Sequence, residues 1–300
     1  MQELNGLKNK TMSSVDLFGK EIIKKPLLRD KFIEPPFSVL DTKSGNWVRR
    51  KRLWKKLNIK SEIGRDIKKT FTGGKFTPNQ GKSDRFDNKS TSTFDPALCE
   101  VLYNWFCPDD GNILDPFAGG SVRGIVANYL GYKYTGIDIR QEQVDSNREQ
   151  GLDILEPENQ PNWYVGDSNK ILNNFNKEFD FVFSCPPYAN LEVYSDLESD
   201  VSNMDYDNFM IAYTSIIKKS CDLLKTNSYA CFVVGEVRNK KGNYIGFVPD
   251  TIKAFEKCGM KYYNECILLD QLGNASMRAG NNMKYQKLVK VHQNILIFKK

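Results

Sequence analysis

The chain has 300 residues, 40% of them hydrophobic, and a net charge of +6, which is enough apolar material for one large domain or two small ones. No apolar run is long enough to span a bilayer, and the start MQELNGLKNK carries neither a secretory nor a transit pattern, so a cytoplasmic protein without a membrane partner is expected. Seven cysteines stand singly beside one histidine, His292, which speaks against a disulfide framework or a bound metal.

The total charge conceals a division along the chain. Residues 1–90 hold 22 Lys/Arg against 10 Asp/Glu, whereas residues 91–300 hold 21 against 27. A basic front third is expected to face a polyanion. Residues 1–34 are mixed and Lys-rich with weak periodicity. Residues 35–66, PPFSVLDTKSGNWVRRKRLWKKLNIKSEIGRD, set Arg49, Arg50, Lys51, Arg52, Lys55 and Lys56 between Trp47 and Trp54. Cations interleaved with aromatics suit phosphate contact with apolar anchors, against the alternative of a helix with a buried tryptophan face and a solvated basic one. Residues 68–90 are Gly, Ser, Asn and Lys without an apolar repeat and are expected to form a flexible linker. The domain expectation is therefore a basic extension over 1–90 and a globular domain over 91–300.

From residue 93 strands alternate with helices. Strands are expected at 112–115, 133–138, 162–166, 179–185, 228–235, 261–269 and 293–298, and helices at 95–106, 120–130, 141–150, 205–225 and 249–258. In 205–225 Tyr206, Phe209, Met210, Tyr213, Ile216, Ile217, Ser220 and Leu224 share one face, and Pro249 suits the first turn of its helix. This alternation implies a mostly parallel, seven-stranded sheet with helices on both faces. In such sheets a ligand lies beyond the carboxyl ends of the strands.

Four strand ends carry the chemistry. The stretch ILDPFAGGSVRG ends a strand at Asp115 and turns through Pro116, Phe117, Ala118, Gly119 and Gly120 into a helix, letting backbone approach a ligand at a helix N-terminus. In YTGIDI, Asp138 ends the next strand, followed by Ile139, where a carboxylate accepts both hydroxyls of a ribose. In WYVGDS, Asp167 and Ser168 end the third, placed for the edge of an adenine. Each alone is more often a plain turn or a helix cap. In order on successive strands they address one nucleoside-like ligand, and they differ from the G-x-G-x-x-G dinucleotide fingerprint.

The fourth is FDFVFSCPPYAN, which runs into Ser184, Cys185, Pro186, Pro187 and Tyr188. The prolines fix the backbone and remove competing N–H groups, leaving the carbonyls of Cys185 and Pro186 as rigid acceptors for an exocyclic amino group. Holding that NH2 by its hydrogens frees its lone pair to attack a methyl group, and Tyr188 offers a flat face to a base turned out of its stack.

These residues resemble the S-adenosylmethionine-dependent amino-methyltransferases of DNA, which act on adenine N6 or cytosine N4. The resemblance covers roughly residues 91–300 and implies a Rossmann-like methyltransferase fold, S-adenosylmethionine as cofactor and double-stranded DNA as partner. STFDPALCEVLYNWF is similar to the family's motif before the first strand, with Phe94 near the cofactor's methionine part. DPFAGG is similar to the cofactor loop, Asp138 to the ribose acid, Asp167 to the adenine contact, SCPPY to the catalytic D/N/S-P-P-Y, and KVHQNILIFKK to the last strand. PPFSVLDTKSGNW and CPPYANLEVYSD resemble bacteriophage-encoded methylases, and restriction-modification is among the roles implied. Cys185 departs from the family's Asp, Asn or Ser, and a thiol is a weak acceptor, so the Pro186 carbonyl is expected to carry most of the work. The target base stays open. The alternatives are methylation of RNA at guanine N2, carbon-5 methylation of cytosine with Cys185 as nucleophile, and an inactive DNA-binding regulator. LEVYSDLESD is a lid or a solvated acidic loop. VRNKKG and SMRAGNNMKYQKLVK are two further basic loops, contributing Arg238, Lys240, Lys241 and Arg278 to the DNA-facing set.

Overall fold

A computed structural model describes residues 14–15, 21–22, 27–59, 94–187, 203–239, 241–270, 272 and 275–300. Apart from a short ladder pairing Ser14–Val15 with Glu21–Ile22, the chain begins with helix α1 (Leu28–Phe32), strand β1 (Val39–Asp41) and helix α2 (Gly45–Lys55). It continues through α3 (Pro96–Phe106), β2 (Asn112–Asp115), α4 (Val122–Tyr129), β3 (Lys133–Asp138), α5 (Gln141–Ile154) and β4 (Asn162–Val165). The short α6 (Ser168–Ile171), β5 (Phe179–Ser184), α7 (Tyr206–Asp222), β6 (Leu224–Val234), α8 (Phe247–Lys257), β7 (Lys261–Leu269), α9 (Ala275–Met283) and β8 (His292–Lys299) complete it.

Eight strands form one sheet in the order β1-β7-β8-β6-β5-β2-β3-β4. The seven expected strands are all in it. β8 runs antiparallel to β6 and β7, and the remaining pairings are parallel. The chain leaves central β2 for β3 on one side and returns to β5 on the other, which makes β2/β5 the topological switch point where ligands bind in such sheets.

The sheet is covered on both faces, which is why its inner strands read as apolar runs rather than alternations. Phe181 and Phe183 of β5 pack with Tyr103 of α3 and Trp47 of α2, while Val182 packs with Phe209, Tyr213 and Ile217 of α7 and Phe255 of α8. Each such fully buried aromatic or aliphatic side chain contributes about 1.5–3 kcal/mol. Gly136 on β3 fits because nothing larger can: a Cβ there would lie 2.6 Å from the Tyr134 ring, 2.9 Å from Ala118 Cβ and 3.0 Å from the Trp163 ring.

Two expectations are corrected here. The basic extension is not separate over residues 39–55, since β1 adds an eighth strand beside β7 and Leu40, Trp47 and Trp54 are buried in the core. Ser44 caps α2 by accepting from the Trp47 N–H. The second basic loop, SMRAGNNMKYQKLVK, begins with α9. The expected linker at 68–90 and the LEVYSDLESD segment lie outside the described residues.

Candidate active site

Parallel pairing fixes which strand ends share an edge. Asp115 is level with Gly136, Leu114 with Val182, and Asp138 with Val165. The ends of β5, β2, β3 and β4 therefore lie side by side, and hydrogen bonds tie the segments beyond them together. The Gly119 N–H donates to Asp138 Oδ2 at 3.0 Å, Ser168 Oγ donates to the Pro116 carbonyl at 2.6 Å, and Ser184 Oγ donates to Asp115 Oδ1 at 2.6 Å. Gly119 has φ +53°, a left-handed conformation that glycine adopts without strain.

Asp115 is the hub of this assembly. It is fully buried; its carboxylate accepts from Arg123 Nε at 2.5 Å, Tyr134 OH at 2.7 Å, Ser184 Oγ at 2.6 Å and the Phe117 N–H at 3.2 Å. Arg123, one residue into α4, is also buried. Its Nη2 donates to the Phe117 and Ala118 carbonyls, each at 2.7 Å, and its guanidinium lies 4.7 Å from the Phe94 ring centre. Burial opposes charge on Arg123, but the Asp115 carboxylate, together with Tyr134, Cys185 and the hydrogen bond to Asp115, outweighs it and holds the guanidinium pKa above its ordinary value. Burial, reinforced by the same carboxylate, pushes the Tyr134 hydroxyl well up, so it stays a donor at all working pH values.

A second layer sits behind the glycine turn. Asn147 Nδ2 donates to the Gly119 carbonyl at 2.7 Å and Gln143 Nε2 donates to Asn147 Oδ1 at 3.0 Å. Arg140 Nη2 in turn donates to Gln143 Oε1 at 2.7 Å. Asp138 accepts from the Arg140 N–H at 2.9 Å, and Gly166, at φ +141°, donates to the Asp138 carbonyl at 2.9 Å.

The residues singled out by sequence thus divide in two. Gly119, Gly120, Asp138, Ile139 and Asp167 border the edge and are partly exposed; Asp167 also caps α6 by accepting from the Asn169 N–H at 2.8 Å. Phe94 is partly exposed and meets Phe183 edge-on at 5.8 Å. Cys185 and Pro187 are partly exposed beside buried Pro186. Asp115 and Ser184, by contrast, are fully buried with their oxygens engaged with each other, which ties the two loops together. Pro116, Ala118 and Ser168 are buried as well, and the Phe117 ring leans on Tyr213 and Phe232 of the core. Tyr188 and Lys240 lie outside the described residues.

The basic set also needs correction. Trp47 is 1% exposed and donates from Nε1 to Asp95 at 3.1 Å. Arg50 is 6% exposed and lies 3.4 Å from Glu100. Lys51 Nζ bonds Asp95 at 2.8 Å. Helix α2 therefore turns both tryptophans and two of its cations, Arg50 and Lys51, toward α3, whose Asp95 and Glu100 receive them. Arg49, Arg52, Lys55 and Lys56 remain exposed, as do Lys241 and Arg278. The guanidinium of Arg238 lies 3.9 Å from the Tyr244 ring centre and donates to the Gly242 carbonyl. Arg123 and Tyr134 were not anticipated; the one sign of Arg123 was a lone cation in the apolar helical face SVRGIVANYL.

A doubly wound sheet with a glycine turn after its central strand and acidic tips on the next two is of the Rossmann-like fold class. Residues 24–149 match the family model of N6/N4 DNA methylases, described as DNA methylase. A search of curated proteins returns no match. Among solved structures, TrmN from Thermus thermophilus is 13% identical, with 68% of this chain and 48% of that one covered and a TM-score of 0.47. A TehB-like SAM-dependent methyltransferase from Corynebacterium glutamicum is 14% identical, with 68% and 86% covered and a TM-score of 0.41. Magnesium protoporphyrin IX methyltransferase from Synechocystis with bound SAH is 12% identical, with 68% and 83% covered and a TM-score of 0.45. The chain spans about half the length of the TrmN chain. The family's methyl donor is S-adenosylmethionine, and the donor set suits it: a carboxylate at Asp138 for the ribose hydroxyls, Asp167 for an adenine amino group, and a turn without side chains at Gly119-Gly120 for close backbone approach.

Proposed function

We propose that the protein methylates the exocyclic amino group of a base, adenine N6 or cytosine N4, in double-stranded DNA, working in the cytoplasm. The observation that carries this reading is the Ser184–Asp115 hydrogen bond, which fastens the Cys185-Pro186-Pro187 tip to the base of the glycine turn. The segment meant to hold the acceptor amine is thereby fixed beside the segment meant to hold the donor.

Bound S-adenosylmethionine supplies an electrophilic methyl group on a sulfonium. The chain's own part is to hold and orient. Asp138 and Asp167 anchor the two ends of the nucleoside, and Gly119 and Gly120 admit the remainder. The carbonyls of Cys185 and Pro186 accept hydrogen bonds from the amino group; as the N–C bond forms the S–C bond breaks and the amino proton passes to solvent, while Pro186 and Pro187 stiffen that backbone and contribute no N–H that would compete. Orientation of donor and acceptor in line is worth about 7–11 kcal/mol in favourable cases, and it is the largest effect this assembly supplies. A target base must leave its stack to reach the tip.

The test is mass spectrometry of nucleosides from DNA of cells expressing the wild type, Asp138→Ala or Pro186→Ala. N6-methyladenine or N4-methylcytosine with the wild type, and strong loss with either variant, is expected. 5-Methylcytosine would shift the chemistry to Cys185, methylated tRNA with unmodified DNA would shift the substrate, and no modification of either would refute catalysis.

A further inference from the structure

The catalytic edge continues beyond β5. β7 ends at Leu269 level with His292, where β8 begins, so the connection 270–291, which contains α9, emerges at the same edge as Pro186. Only β6 and β8 separate β5 from β7 in the sheet; at about 4.8 Å per strand the connection starts on the order of 10–15 Å from the catalytic tip.

This connection is built unlike a covered element. Among its described residues Ala275 alone is buried. Met277 is 76% exposed, Met283 60%, Tyr285 74% and Leu288 75%, and a Cβ placed on Gly280 would meet nothing within 4 Å. Soluble surfaces seldom gather large apolar side chains this way without a partner. Interleaved with them are Arg278, Lys284, Lys287 and Lys290 against a single acid, Asp270. Lys287 lies directly against Gly242, in the hairpin that follows β6 and is braced by Arg238 on Tyr244. The two basic segments therefore form one rim.

Building on the reading given under Proposed function, we infer that residues 275–291, beginning with α9, form a docking surface for duplex DNA beside the catalytic tip. Charge complementarity selects the occupant, because apolar side chains ringed by cations suit base edges and thymine methyls flanked by phosphates. The nine residues of α9 span about 13 Å at 1.5 Å per residue, and the major groove, about 12 Å wide, admits a helix. Arg278 and Lys284 contact phosphates, while Met277, Met283 and Tyr285 face the groove.

The experiment is a salt titration of binding to a labelled mixed-sequence duplex by Arg278→Ala/Lys284→Ala. The control, Lys257→Ala/Lys261→Ala, makes the same charge change at the opposite edge of the sheet, and S-adenosylmethionine binding is followed by calorimetry in all proteins. Weaker duplex binding is expected for the α9 pair, with a log–log salt slope shallower by about 1.8 (0.9 for each phosphate deprived of its cation) and unchanged cofactor affinity; the control retains the wild-type slope. Equal slopes for the two pairs overturn the assignment of this surface while leaving the proposed function standing if wild type still methylates DNA. Wild type that neither binds nor methylates duplex DNA removes both. A concentration-dependent dimer that Met277→Ala/Tyr285→Ala abolishes, with duplex binding intact, assigns the face to a second copy of the chain and also overturns the inference.

Discussion

Arg123→Met tests whether the buried Asp115 hub governs the site. The substitution keeps an unbranched apolar stem and removes the guanidinium that lies 4.7 Å from the Phe94 ring centre. Asp115 then remains fully buried with its bonds to Tyr134, Ser184 and the Phe117 N–H but without its counter-charge. Breaking a buried ion pair from one side costs about 3–5 kcal/mol; the surviving bonds favour the lower end. In addition, the Phe117 and Ala118 carbonyls each lose a donor, at about 1 kcal/mol apiece. The sum is about 5 kcal/mol, a large share of the 5–15 kcal/mol expected for the whole chain, and corresponds to a fall in Tm on the order of 10 °C. Urea unfolding followed by circular dichroism measures the first, and calorimetry with S-adenosylmethionine measures the companion effect, weaker binding by a loosened 115–120 turn. Arg123→Lys restores charge without the planar fork and is expected to fall between. A variant Arg123→Met within about 1 kcal/mol of wild type, with unaltered cofactor affinity, would refute the hub.

Three more outcomes are expected. Gly136→Ala pushes a methyl into the Tyr134, Ala118 and Trp163 contacts at 2.6–3.0 Å and costs about 1–3 kcal/mol of overpacking by urea unfolding. Burial works against ionisation of Asp180, but bonds from the Asn112 N–H at 2.9 Å and Lys225 Nζ at 2.7 Å prevail and hold its pKa below the ordinary carboxylate value. A depressed acid adds stability above its unfolded pKa and loses it as pH falls through the folded one, so Asp180→Asn is less stable at neutral pH and the gap to wild type closes below about pH 4 in acid-unfolding curves. Cys185→Ser keeps its backbone carbonyl and is expected to retain methyl transfer within about tenfold, whereas a thiolate nucleophile would lose it by about a thousandfold or more in single-turnover assays.

The sheet was legible because its strands are short apolar runs closed by Gly, Pro or Asp, and because apolar helical faces such as Phe209, Tyr213 and Ile217 lie between them. The shared edge was legible as a set of positions, since a parallel sheet carries every strand end to one side whatever its loops do. Roles within that set were not legible. Asp115 and Asp138 look alike in sequence as strand-end acids, yet one is fully buried among four donors and the other borders the edge, and only the three-dimensional placement of Arg123, Tyr134 and Ser184 separates them. Helix α2 misled for a related reason: Trp47 and Arg50 read as a phosphate-facing pair until Asp95 and Glu100, about fifty residues on, proved to receive them. Helix α9 escaped notice because Gly280, Asn281 and Asn282 are poor helix formers and it buries no stripe that a 3.6-residue period would expose.

The bonds that shape the cofactor turn come from far along the chain: Asp138 is 19 residues from Gly119, Ser168 is 52 from Pro116, and Ser184 is 69 from Asp115. The local bonds from the Phe117 N–H and Arg123 act together with these long-range ties, so the shape of the turn is a property of the folded sheet. The ordering entropy of about 1–2 kcal/mol per residue is therefore met on folding and not when a ligand arrives. A binding turn ordered in advance spends less of its interaction energy on its own immobilisation, which leaves more for orienting donor against acceptor. The same bonds make the turn and the Cys185-Pro186 tip move as one body, since both hang on Asp115. Loosening either end should therefore weaken cofactor affinity and the methyl-transfer step together, a coupling that two independently folded loops would not show.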